Sequence, residues 1–74
     1  MHWGQAVREV RVARGWTQQE LGDKIGKHQS EIARWERATD MMTSTLELLA
    51  AGLRISCEEL TRRAEAASAD PEEA

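Results

Sequence analysis

Residues 16–37 read WTQQELGDKIGKHQSEIARWER, and the pattern of this stretch decides the fold. Thr17-Gln18-Gln19-Glu20 is a capping box, in which the threonine hydroxyl and the glutamate carboxylate can each satisfy the other's unpaired backbone N–H. Trp16 before it and Leu21 after it occupy the two positions of a hydrophobic staple. Leu21 and Ile25 then share an inward face, and Gly26 can take the left-handed conformation that ends a helix. A further short helix follows at once, from His28 or Gln29 to Arg37, with Ile32, Trp35 and Glu36 on its inner side. Two short helices joined by a turn of about three residues around a glycine form a helix-turn-helix candidate.

Apolar spacing is helical on either side of this unit. Trp3, Val7 and Val10 fall at i, i+4 and i+7 and give a first helix ending near Arg14-Gly15. After a loop over residues 38–42, Leu46, Leu49, Ala50 and Leu53 mark a fourth helix, with Ser44 and Glu47 placed to cap it. The fifth opens on a second box, Ser56-Cys57-Glu58-Glu59, stapled by Ile55 and Leu60. Its apolar stripe of Cys57, Leu60, Ala64 and Ala67 makes Cys57 an expected small buried residue. Trp3, Trp16 and Trp35 are expected in the core. Gly22 and Gly52 lie inside helices, where glycine costs about 1 kcal/mol relative to alanine, so each predicts a close helix crossing. No segment alternates with a strand's period, and no repeat is present. The expectation is an all-α, compact five-helix domain over residues 1–66, followed by an acidic, disordered tail over residues 67–74.

Seventy-four residues suit one domain with a modest core. A single cysteine allows no intramolecular disulfide and fits a reducing, cytoplasmic setting. The N-terminus has neither the basic start nor the apolar stretch of a signal peptide, and the longest apolar run, Leu48 to Ala51, is too short to cross a membrane. The net charge of −3 is unevenly placed: residues 1–64 carry ten basic and nine acidic side chains, and the last ten residues carry Glu65, Asp70, Glu72 and Glu73. The folded part is thus about neutral, and any affinity for nucleic acid must come from local placement of Lys and Arg. This predicts weak non-specific binding with a moderate salt dependence. No phosphate-binding glycine loop, paired carboxylates or nucleophile with a base is present, so no enzyme is expected. His2, His28 and Cys57 are too far apart in sequence to suggest a metal site, and no cofactor is implied.

At about 100° per residue, a third helix with Ile32 at the centre of its buried side turns Ser30, Arg34 and Arg37 outward. Ala33 lies at the border and Gln29 near the exposed N-terminal end. Such a short, polar and basic face fits the major groove, where Arg can contact guanine O6 and N7 and Gln can contact adenine N6 and N7. On such a face Gln29, Ser30 and Arg34 would read bases, with Lys27 and Arg37 on neighbouring phosphates.

The segment VREVRVARGWTQQELGDKIGKHQSEIARWERA resembles the DNA-binding core of the phage repressor and Cro family of XRE-like transcriptional regulators. The resemblance covers roughly residues 3–63 and is strongest in RGWTQQELGDKIG and SEIARWER. It implies a lambda-repressor-like domain in which Gln18 hydrogen-bonds a phosphate and His28, Gln29, Ser30 and Arg34 meet base edges or adjacent phosphates. Arg11 and Glu36 match a pair that commonly bridges the first and third helices. The chain departs from the family at three places. His28 stands where a serine or threonine is frequent, ATDMM replaces a loop usually containing glycine, basic residues and proline, and Arg54 replaces a helix-ending glycine.

Leu48 falls on the side of the fourth helix opposite Leu46, Leu49 and Leu53, so its burial needs a further surface. A homodimer seam built from Leu48, Met41, Met42, Leu60 and Ala64 is the expected cover, and a two-fold dimer implies an inverted-repeat operator. The alternative keeps the fold but makes it a protein-interaction module, docking on RNA polymerase or another regulator through the acidic edge of Glu20 and Asp23.

Overall fold

Helix α1 (Trp3–Ala13) begins without a side-chain cap. The amides of Trp3 and Gly4 instead donate to the carbonyls of Thr39 and Ala38, at 3.4 and 3.0 Å, in the loop that follows the third helix. That approach is possible because residue 4 is glycine: a Cβ there would lie 2.5 Å from the carbonyl oxygens of both Trp35 and Glu36 and 2.6 Å from that of Ala38. The ATDMM loop therefore supplies carbonyls to the first helix.

The computed structural model describes residues 2–68, and the described elements are all helical. After α1 come α2 (Gln18–Ile25), α3 (Gln29–Glu36), α4 (Thr43–Leu53) and α5 (Cys57–Ser68). Helix α1 packs against α3, α4 and α5, while α2 is held between α3 and α4. All five helices send side chains to one core: Ala6, Val7 and Val10; Leu21; Ile32; Leu49, Ala50 and Leu53; and Leu60 and Ala64. Trp3, Trp16 and Trp35 are half-buried and pack against its rim. The all-α five-helix expectation is met. Helix α5 continues beyond the expected domain end at residue 66, and residues 69–74 of the expected tail lie outside the described residues.

Three local readings need correction. Helix α4 starts at Thr43 with Met42 as its N-cap and no side-chain cap bond, so Ser44 sits inside the first turn and cannot cap it. Met41 packs against the core just before the helix begins, and this tertiary contact outweighs the local box. Cys57 is exposed. With the Ser56 hydroxyl accepting from the Glu59 amide at 3.0 Å, Cys57 becomes the first helical residue and faces outward, while Leu60 turns in. The Glu59 carboxylate pairs with Arg62 and Arg63 on the same helix. Finally, Leu60 and Ala64 have no exposed surface, because the protomer's own α1 and α4 cover them. They cannot form a subunit seam as expected. Leu48 and Met41 are half-buried, and Met42 is 73% exposed.

Arg54 ends α4 in the left-handed conformation, with φ of 62°. The carbonyls around this end are met by Arg14, whose Nε donates to Leu53 O at 2.7 Å and whose Nη2 donates to Arg54 O at 3.3 Å. A cation at a helix C-terminus also opposes the partial negative charge there. Among the described residues no helix is long and apolar enough to cross a membrane.

Candidate nucleic-acid interface

The box that begins α2 closes in both directions. The Thr17 hydroxyl accepts from Glu20 N at 3.1 Å, and the Glu20 carboxylate accepts from Thr17 N at 2.8 Å. Glu20 and Asp23, the expected acidic edge, are both exposed, but one Glu20 oxygen is occupied by this cap. Trp16 packs against the core rim and carries the Lys24 ammonium over its ring at 4.3 Å. The helix ends at Gly26, with φ of 71°, and the chain turns so sharply that Lys27 N donates to Gly22 O at 2.8 Å. A Cβ on Gly22 would collide with the Lys27 carbonyl oxygen. The close approach expected at Gly22 is thus to the turn itself and not to another helix. Gly52 does lie at a helix crossing, against the side chains of Ile25 and Leu21.

His28 is the N-cap of α3. Its Nδ1 lies 3.1 Å from Ser30 N and 2.9 Å from Ser30 Oγ. A backbone amide can only donate, so Nδ1 must be the acceptor and the ring proton belongs on Nε2. The imidazole does here what a serine or threonine hydroxyl does at other N-caps, and it retains an N–H donor on its far side.

Along α3, Ile32 is fully buried, Trp35 is half-buried and Glu36 is buried, while Gln29, Ser30, Arg34 and Arg37 are exposed. Ala33 and Glu31 are intermediate, and Lys27 and His28 are exposed in the turn. The structure therefore gathers His28, Gln29, Ser30, Arg34 and Arg37 on one solvent-facing side, with Lys27 beside its N-terminus.

Beneath this face runs a hydrogen-bonded chain of side chains. Arg11 donates from Nε to Glu36 Oε2 at 2.6 Å and from Nη2 to Oε1 at 3.1 Å, and its Nη1 donates to Trp16 O at 2.7 Å. The pair joins α1 to the end of α3, where the resemblance placed it. Gln18 Nε2 donates to Glu36 Oε1 at 3.1 Å, and Gln29 Nε2 donates to Gln18 Oε1 at 3.4 Å. Gln18 is consequently half-buried, with one amide hydrogen already engaged. Its link to Glu36 has no signature in the sequence, because the two residues are 18 positions apart and meet only when α2 docks on α3.

Arg8 was also missed. It is exposed on the side of α1 near Arg11, and it lines a hollow together with Gln18, Ala33, Glu36 and Arg37. The spacing of Arg8 and Arg11 at i and i+3 was the available signal, since residues so spaced share a helix face. Among the described residues no group of His, Cys, Asp and Glu is arranged as metal ligands would be.

A search of curated proteins gives no match. A helix-turn-helix family model matches residues 7–60, from within α1 to the first turn of α5, and so spans more than half of the chain. With five helices, no strand among the described residues and this match, the chain belongs to the XRE-like helix-turn-helix family of DNA-binding transcription regulators that includes the Cro and repressor type.

Proposed function

We propose that the protein is a sequence-specific regulator of transcription that binds double-stranded DNA as a homodimer, with α3 in the major groove of each half of an inverted repeat. The observation that carries this reading is the two-sided character of α3. Ile32, Trp35 and Glu36 are committed inward, whereas Gln29, Ser30, Arg34 and Arg37 have no such commitment and face solvent together. The small side chains of Ser30 and Ala33 let the helix backbone approach base edges closely. Arg34 fits guanine, Gln29 fits adenine, and each bidentate contact discriminates by about 1–3 kcal/mol. Gln18, Lys27 and Arg37 take phosphates and set the register.

Dimerisation is supported by the apolar surface that the protomer leaves partly open at Met41, Met42 and Leu48, around the start of α4. Two copies related by a two-fold axis would present their α3 helices about one duplex turn, roughly 34 Å, apart. The protein would then act in the cytoplasm of a bacterial cell, on the nucleoid when bound, and as a repressor wherever its operator overlaps a promoter. The decisive experiment is a gel shift against the DNA upstream of its own gene, with sedimentation of the free protein alongside. A specific shift at nanomolar protein and a dimer at micromolar protein support the reading. No shift at any salt, with a captured protein partner, would replace it with the protein-interaction module.

A further inference from the structure

The hollow beside α3 has three walls: Arg8 from α1, Gln18 from the start of α2, and Ala33, Glu36 and Arg37 from α3 and its C-cap. Its volume is about 330 Å³. Glu36 would repel an anion here, but its charge is already matched, since both carboxylate oxygens accept from Arg11 and Oε1 accepts from Gln18 as well. Arg8 and Arg37 are exposed, and neither forms an ion pair with a carboxylate among the described residues. Two guanidinium groups therefore border a floor of neutral net charge. The Gln18 amide keeps a second N–H beyond the one given to Glu36, and the Ala33 methyl leaves the space between them open.

We propose that this hollow is the seat of one DNA backbone phosphate, and that Arg8 of α1 is one of its donors. The guanidinium fork matches two phosphate oxygens at once and stays charged at any working pH. A duplex phosphate, and not a free anion, is the natural occupant because Ala33 of α3 and Arg37 at its C-cap both line this hollow, and the outer side of α3 faces the groove. The proposal rests on the DNA-binding reading above and extends the interface from the helix-turn-helix to α1. It also gives this near-neutral domain a concentrated point of positive charge on the groove side.

The test uses the full chain with two fluorescein-labelled duplexes, one of random sequence and one selected from a random library by repeated rounds of binding. Affinity is measured across a range of salt concentrations. Each phosphate contact contributes about 0.9 to the slope of log K against log salt, so Arg8→Ala should lower the slope by about that amount. It should also weaken both duplexes by the same factor, while Arg8→Lys keeps most of the slope. A second variant, Ala33→Glu, fills the hollow with a carboxylate and should weaken both duplexes without any change at Arg8. An unchanged slope in Arg8→Ala, with wild-type protein binding its selected duplex, overturns the phosphate seat and leaves the DNA-binding reading intact. A loss confined to the selected duplex also overturns it, because that pattern belongs to a base contact. Wild-type protein that selects no duplex removes both.

Discussion

The side-chain amide of Gln29 donates to Gln18 Oε1 at 3.4 Å, and through Gln18 the solvent-facing side of α3 is connected to the buried pair of Arg11 and Glu36. On the proposed reading Gln29 meets a base, and an exposed side chain loses rotamer entropy when it is fixed against DNA. Holding Gln29 in advance reduces that cost. Gln18→Ala should therefore weaken binding through Gln29 as well as through the phosphate proposed for Gln18. In a double-mutant cycle on operator affinity, Gln18→Ala and Gln29→Ala should be non-additive by about 0.5–1 kcal/mol, within the range found for residues in one network. Strict additivity would mean that the two amides act independently.

Arg34 gives a sharper test of how α3 is used. Its side chain is exposed on the outer face and takes no part in the core, so Arg34→Ala should leave the thermal midpoint nearly unchanged. On the selected operator it should cost about 1–3 kcal/mol and relax preference at one base pair. A repeated selection with the variant measures this directly. Equal loss on every sequence would reassign Arg34 to the backbone.

The start of α2 was legible because its signal is local: Thr17 and Glu20 complete each other within one turn, whatever surrounds them. The outward placement of Ser30, Arg34 and Arg37 was legible for a related reason, since helical periodicity alone fixes it once Ile32 is inside. The start of α4 was not, because Met41 packs on the core and draws the helix back to Thr43. Leu60 and Ala64 were misplaced because an apolar stripe gives no sign of whether its cover is the same protomer or another. The bonds of Arg14 to the end of α4 and of Gln18 to Glu36 arise only when distant helices meet, and no spacing along the chain encodes them, whereas for Arg8 the spacing from Arg11 was a signal left unused.

Glu36 has a side chain only 3% exposed, and that of Arg11 is 11% exposed. Removing one member of such a pair leaves the other charge buried without compensation, at a cost of about 3–5 kcal/mol. Glu36→Ala should cost this much in denaturant unfolding, a large share of the stability of so small a domain. Replacing both together, as Arg11→Met with Glu36→Leu, should restore most of the loss, because no charge is stranded. The double variant should nonetheless bind DNA more weakly than wild type, since Gln18 loses its partner and the hollow its floor. Restored stability with full binding would argue that the pair is purely structural.

Two backbone positions make opposite predictions. Gly4→Ala sets a methyl against three carbonyl oxygens at 2.5–2.6 Å, none of them on a side chain that could move aside. It should destabilise by about 1–3 kcal/mol or more, as overpacking does, with α1 displaced from the end of α3. Arg54 instead holds a left-handed conformation that glycine adopts freely. Arg54→Gly should raise stability by about 1 kcal/mol, read from the unfolding midpoint, because the Arg14 bonds go to backbone carbonyls that remain. A fall in stability would show that the Arg54 side chain matters more than its φ.

His28 sets the last prediction, because one ring nitrogen decides two things. Capping of α3 requires Nδ1 to accept from Ser30 N, which fixes the proton on Nε2 and leaves a donor facing away from the helix. That donor suits guanine O6 or N7, thymine O4 or a phosphate oxygen, and it excludes the adenine and cytosine amino groups. Nitrogen chemical shifts of the imidazole in the free protein should report the Nε2–H tautomer. His28→Ser, which keeps a side-chain cap on α3, should leave the exchange of the first α3 amides unchanged while losing the contact made by Nε2. An Nδ1–H tautomer in the spectra would mean that the ring donates to Ser30 Oγ instead, leaving the cap unmade and Nε2 able only to accept.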